Sequence, residues 1–255
     1  LLEALEAPIT LLRKRQDVNG LAPEIAPQNG YVGVMLPYTP LHHLLMAAAK
    51  GPLVMTSGNP SGEPLCTENV EARERLAGLV DGFLFHDRPI ARRCDDSVMF
   101  VAGLPDRDVV QPVRRSRGLV PMPVWLPEGL ELQKKLVVVG GDLKNVSAVA
   151  EGREVFLTPH IGDLGHPMVR PEQGRAIADL ERLFQIQPEA VVCDLHPDYA
   201  GTRYARDRAG REEIPLIEVQ HHHAHIAGCL AENGCLGPAI GLGFDGTGYG
   251  CDGHI

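Results

Sequence analysis

The chain has 255 residues, enough for two domains of ordinary size. Hydrophobic residues make up 44% and charged residues 22%, a globular balance, and the formal charge of −9 argues against broad electrostatic binding to a nucleic-acid backbone. No apolar run approaches the ~20 residues that a membrane-spanning helix needs, nothing resembles a signal peptide, and the cysteines at 66, 94, 193, 229, 235 and 251 show no CxxC spacing. Free thiols in a reducing cytoplasm are therefore the expectation.

Pro8 to Arg15 predicts a strand, and residues 16–30 a loop rich in Pro, Asn and Gly with a helical turn at LAPEIA. Tyr31 to Met35 reads as a short buried strand, Leu41 to Lys50 as a helix, and 52–57, PLVMTS, as a second buried strand. That strand runs into SGNPSGEP, Ser57 to Pro64. Small hydroxyls and free backbone N–H groups here suit a phosphate, with Ser57 and Asn59 as candidates. The same composition also makes an ordinary β-turn.

Glu68 to Leu79 reads as a helix, and 81–87 and 94–102 as strands. DVVQPVRRSRGLVP then brings Arg114, Arg115 and Arg117 together. An arginine fork can hold phosphate oxygens in bidentate geometry, although a charge run can equally be a solvated face. Residues 1–118 thus predict an α+β domain, and the prolines of 119–135 a linker.

From Leu136 the pattern changes. Strands at 136–139, 146–150 and 154–158 form a meander. Its first turn, GGDLKN, sets Asp142, Lys144 and Asn145 beside two glycines. Val169 to Phe184 is an amphipathic helix with Ile177, Leu180 and Leu183 on one face. A strand at 190–194, a helix at 202–209 and a strand at 215–220 lead to a histidine-rich helix. Three antiparallel strands followed by strands alternating with helices is the order of a ribonuclease-H-like half domain, whose first hairpin and later Asp-Gly turn face nucleotide phosphates.

The strongest chemical signal lies in Val219 to Gly250. His221 and His225, four apart, share a helix face and can converge on one metal. Asp245 ends the apolar run Ala239 to Phe244, expected to be a strand, and Gly246, Gly248 and Gly250 form a turn fit to approach an anion. The expectation is a two-His, one-carboxylate metal site beside a nucleotide-phosphate loop, with His222 and His223 on other faces in structural or supporting roles. A solvated histidine tract and a common Asp-Gly turn are the plainer reading of the same residues.

GVMLPYTPLHHLL, MTSGNPSGEP, RRSRGLVP, GGDLKN, DLHPDY and QHHHAHIA, in this order, resemble the hydrogenase-maturation carbamoyltransferases of the HypF family over essentially the whole chain. The O-carbamoyltransferases of antibiotic biosynthesis are more distantly similar. The resemblance implies a YrdC-like adenylate-forming domain over 1–118, a linker over 119–135, and over 136–255 the first lobe of the α/β, actin/Hsp70-type ATPase domain shared with the tRNA threonylcarbamoyl transferase TsaD. It implies that further segments, an acylphosphatase domain and a zinc-finger region before and a second lobe after, belong to a longer parent, and that this piece is inactive alone.

What the resemblance implies for chemistry is a carbamoyl-adenylate made from carbamoyl phosphate and ATP, with Mg2+ accompanying the nucleotide. The carbamoyl group then passes to the C-terminal cysteine of HypE, as precursor of the cyanide ligand of nickel–iron hydrogenase. Ser57, Asn59, Arg114, Arg115 and Arg117 would hold the adenylate. Asp142, Lys144, Asn145, Gly246 and Gly248 would line the second domain's nucleotide loops. His221, His225 and Asp245 would hold a divalent ion, zinc or iron. A small-molecule acceptor, a threonylcarbamoyl product for tRNA, and a non-catalytic RNA- or nucleotide-binding module are the alternatives.

Overall fold

A computed structural model describes residues 1–15, 20–103, 105–246 and 248–254. Part of the expected loop at 16–30 and Thr247 of the glycine-rich turn lie outside the described residues. The chain divides into two units, one of residues 1–58 and 65–119, the other of 59–64 and 120–255.

The first unit is built on a four-stranded sheet of order β2-β1-β3-β4. The central strand β1 (Ile9–Arg13) runs antiparallel to β2 (Tyr31–Val34) and parallel to β3 (Val98–Gly103). β4 (Asp108–Arg114) closes the edge, which is why it tolerates Pro112: an edge strand needs no amide there, and the register slips beside Val98 and Met99. Helix α1 (Pro40–Ala49) starts where Thr39 accepts the His42 amide at 3.1 Å and Pro40 supplies a preset φ. Helix α2 (Asn69–Leu76) follows.

Two expected strands are absent from this sheet. Residues 52–57 and 81–87 belong to no ladder, and Val54 and Leu84 are three-quarters exposed. Apolar composition suggested strands there, but a strand also needs a partner for its N–H and C=O groups, and composition does not supply one.

The second unit holds a six-stranded sheet of order β10-β9-β6-β7-β8-β5. The meander β6 (Leu132–Val138), β7 (Ala148–Gly152) and β8 (Glu154–Leu157) is antiparallel, and β9 (Ala190–Asp194) and β10 (Leu216–Val219) run parallel to β6. Counted from β6, these five strands lie in the order 3-2-1-4-5, as a ribonuclease-H-like lobe requires. The stretch expected as a linker, 119–135, contributes to the sheet: β5 (Val124–Trp125) pairs with β8, and β6 begins at Leu132.

Val137, Val139, Val149, Val191, Ile177 and Leu180 form the core between this sheet and helix α3 (Arg170–Phe184). The inward stripe of α3 departs from expectation. Leu183 is half exposed, and Phe184 packs inward against Phe156 at a ring distance of 3.7 Å. Seven residues bring a helix back to nearly the same face, so Ile177 and Phe184 align while Leu183 lies well around the axis. Helix α4 (Ala200–Glu212) covers β9, and α5 (His221–Glu232) follows β10 directly. Among the described residues, no helix is long and apolar enough to cross a membrane.

Candidate metal centre

Parallel pairing of β9 and β10 sets Asp194 opposite Val219, so both strands end at one level. Asp194 therefore lies beside the first turn of α5. Gln220 starts that helix: its Oε1 accepts the His223 amide at 2.8 Å. Its Nε2, left to donate, reaches His222 Nδ1 at 3.2 Å and the Tyr249 carbonyl at 3.3 Å. His222 must then carry its proton on Nε2, which donates to the carbonyl of Asp245 at 2.7 Å. A Cβ on Gly248 would collide with the same ring, which accounts for that glycine. His222 thus supports the site from outside the donor set.

The run Ala239 to Phe244, expected as a strand leading to Asp245, joins no ladder among the described residues, and Ile240 and Phe244 are almost fully exposed. The Asp245 main chain is held by His222, whose ring Gln220 orients, rather than by a ladder. The side chains nevertheless converge. His221 Nε2 lies 2.8 Å from Asp245 Oδ2 and 3.1 Å from His225 Nε2, and His225 Nε2 is 3.5 Å from the same carboxylate oxygen. Two donors bound to one zinc-like ion at ~2.1 Å stand roughly 3.0–3.4 Å apart. One imidazole pair and one carboxylate within 4.8 Å of one another therefore fit a single divalent ion.

His221 faces carboxylates on both sides: Nδ1 bonds Asp194 Oδ2 while Nε2 meets Asp245. Burial disfavours its charged form, but the hydrogen bonds and charges of Asp194 and Asp245 outweigh that and raise its pKa above the ordinary histidine value. Asp194 went unrecognised in the sequence. It ends an apolar strand 27 residues before His221, and its strand-end position was the one available signal.

The residues expected in nucleotide loops are placed less uniformly. Asp142 spends both carboxylate oxygens on the start of α4, accepting the amides of Ala200 (2.9 Å) and Gly201 (3.0 Å). Asn145 is 2% exposed and donates to the carbonyls of Val139 (2.9 Å) and Gly141 (2.6 Å), which makes it a brace of its own turn rather than a surface for phosphate. Lys144 is exposed, and Gly246 has open space around it.

In the first unit, Ser57 is exposed. Arg114 donates to the Asp96 carbonyl at 2.9 Å. Arg117 is heavily engaged: Nε bonds Asp96 at 2.7 Å, its terminal nitrogens reach the carbonyls of Glu6 and Ala7 at 3.2 and 2.7 Å, and the guanidinium covers the Tyr38 ring at 3.6 Å. In the second unit, Asn59 turns back on its loop, donating to the carbonyls of Pro60 (2.9 Å) and Glu63 (2.8 Å).

Comparison with known proteins gives these units a class. Residues 1–116 match the family described as Telomere recombination, the Sua5/YciO/YrdC model, and residues 131–232 match the HypF Kae1-like domain. The chain is thus a YrdC-like domain followed by a Kae1-like domain. It is 46% identical to the carbamoyltransferase HypF2 of Cupriavidus necator over all of its own length and 33% of that protein. Identity is 45% to the HypF of Synechocystis, over 100% of the chain and 32% of the relative. The crystal structure of full-length HypF in the phosphate- and nucleotide-bound form superposes with a TM-score of 0.88 at 42% identity, covering 99% of this chain and 38% of that one. For HypF of T. kodakarensis the TM-score is 0.89 at 37% identity, over 99% and 32%. The chain belongs to the HypF family, and it spans about a third of the length of the relatives it matches.

Proposed function

We propose that this chain is the adenylate-forming and carbamoyl-transferring portion of a carbamoyltransferase of nickel–iron hydrogenase maturation. The observation that carries the reading is the end-to-end match, across both units, to proteins named carbamoyltransferase HypF. In the first unit, carbamate displaces pyrophosphate from ATP to give carbamoyl-adenylate, with Ser57 and the arginines at 114, 115 and 117 as the phosphate-binding residues. In the second unit, the cysteine thiolate of HypE attacks the carbamoyl carbon and AMP leaves.

His221, His225 and Asp245 would hold the metal, whose contribution when bound is a Lewis acid that stabilises negative charge developing on the carbamoyl or phosphate oxygen. Lys144, exposed on the turn after β6, can offer its ammonium to the nucleotide phosphates. Mg2+ would accompany ATP, and free thiols suit a cytoplasmic setting.

The test uses the full-length protein with carbamoyl phosphate, ATP and HypE. Expected are carbamoyl-phosphate-dependent exchange of pyrophosphate into ATP and a mass gain of one carbamoyl group on the HypE C-terminal cysteine. Activation of threonine and bicarbonate, with no use of carbamoyl phosphate, would replace this reading with the tRNA-modifying one.

A further inference from the structure

Asp194 stands outside the donor set, yet it is among the most constrained groups near it. Its side chain is 6% exposed. Oδ1 accepts the main-chain N–H of His196 at 2.8 Å, and Oδ2 meets Nδ1 of His221. The backbone beneath is held by the ladder to Val219 and by Thr202, whose hydroxyl donates to the Asp194 carbonyl at 3.1 Å. The carboxylate cannot easily swing away.

A carboxylate only accepts, so the hydrogen of this contact belongs to His221 Nδ1. A neutral imidazole has one N–H. With an ion bound, that N–H stays on Nδ1, and Nε2, the atom that faces both Asp245 and His225, gives its lone pair to the ion instead of a proton to Asp245. The other tautomer would set a lone pair against a buried carboxylate and leave Nε2 unable to bind an ion. We propose that Asp194 is the positioning residue of this centre: it holds the His221 ring in the Nδ1–H tautomer and aims Nε2 at the metal. The inference rests on the metal reading of His221, His225 and Asp245. It makes His221, anchored from behind, the firm donor, while His225, with a side chain 59% exposed, is the one free to yield when substrate arrives.

The experiment titrates Co(II) into full-length protein freed of metal, following affinity and the visible ligand-field bands, in wild type, Asp194→Asn, Asp194→Ala and His221→Ala. Asparagine keeps the shape but leaves one good acceptor for two donors. A 10- to 100-fold weaker Co(II) affinity in both Asp194 variants, with shifted bands and an unchanged metal-free melting temperature for Asp194→Asn, is expected. Wild-type affinity and bands in both variants overturn the proposal, as does a lowered melting temperature with bands unmoved. If wild type binds no Co(II), or His221→Ala binds it as tightly, the metal reading itself fails and the role of Asp194 falls with it.

Discussion

The guanidinium of Arg117 makes two main-chain contacts, one carboxylate contact and one ring contact. A side chain so engaged supports the fold beside the phosphate-binding role proposed for it. Arg117→Ala should cost about 2–3 kcal/mol by stranding two carbonyls and taking a partner from the Asp96 carboxylate, which the Tyr38 hydroxyl also serves, read as a lower melting temperature of the first unit. Unchanged melting with a raised KM for ATP would return Arg117 to ligand duty alone. At the proposed metal centre, His221→Ala or His225→Ala should lower carbamoyl transfer at least ~100-fold while pyrophosphate exchange persists. Exchange lost and transfer from supplied carbamoyl-adenylate kept would reverse the roles of the units. The histidine pair was legible because a four-residue spacing has one geometric meaning on a helix. Asp194 and the tautomer of His222 were not, since both depend on partners that only the folded chain brings near.

Helix ends carry the next set of consequences. α4 finishes on Glu213 at φ 54°, a left-handed conformation that favours glycine. Glu213→Gly should therefore stabilise by about 0.5–1 kcal/mol, raising the melting temperature by about 1–4 °C; a fall in calorimetry would count against the strain argument. At the other end of a helix, Glu71 in the first turn of α2 accepts the Thr67 amide at 3.2 Å and pairs with Arg75. Burial pushes its carboxyl up, but the Thr67 amide and Arg75 outweigh that and hold its pKa below the usual 4.5. Its stabilising effect is thus complete above pH 4.5 and lost as pH falls through the depressed value. Glu71→Gln should lower stability near pH 7 and flatten its decline below pH 4.5, as urea titrations across pH will show. Elements whose pattern included a partner, such as the meander β6–β7–β8, were readable from the chain. The apolar runs at 52–57, 81–87 and 239–244 were misread for want of one.

At the scale of the whole molecule, strand order was the most legible feature, because three strands followed by two strand–helix repeats leave few ways to build one sheet. The junction was the least legible. Its prolines suggested a free tether, yet Val124 and Trp125 pair with Val155 and Glu154, and Leu126 and Arg153 exchange two further bonds. This has a practical corollary for anyone isolating the Kae1-like unit. The match to that domain family begins at residue 131, after β5, so a cut placed there strips the outer strand and bares the backbone of β8. Uncovered edges recruit other edges. A piece starting at Leu132 should self-associate at concentrations where one starting at Val120 does so less, and light scattering at matched concentration will tell. The short strand β5 would then be a sheath that keeps the Kae1-like unit from adhering to its own copies.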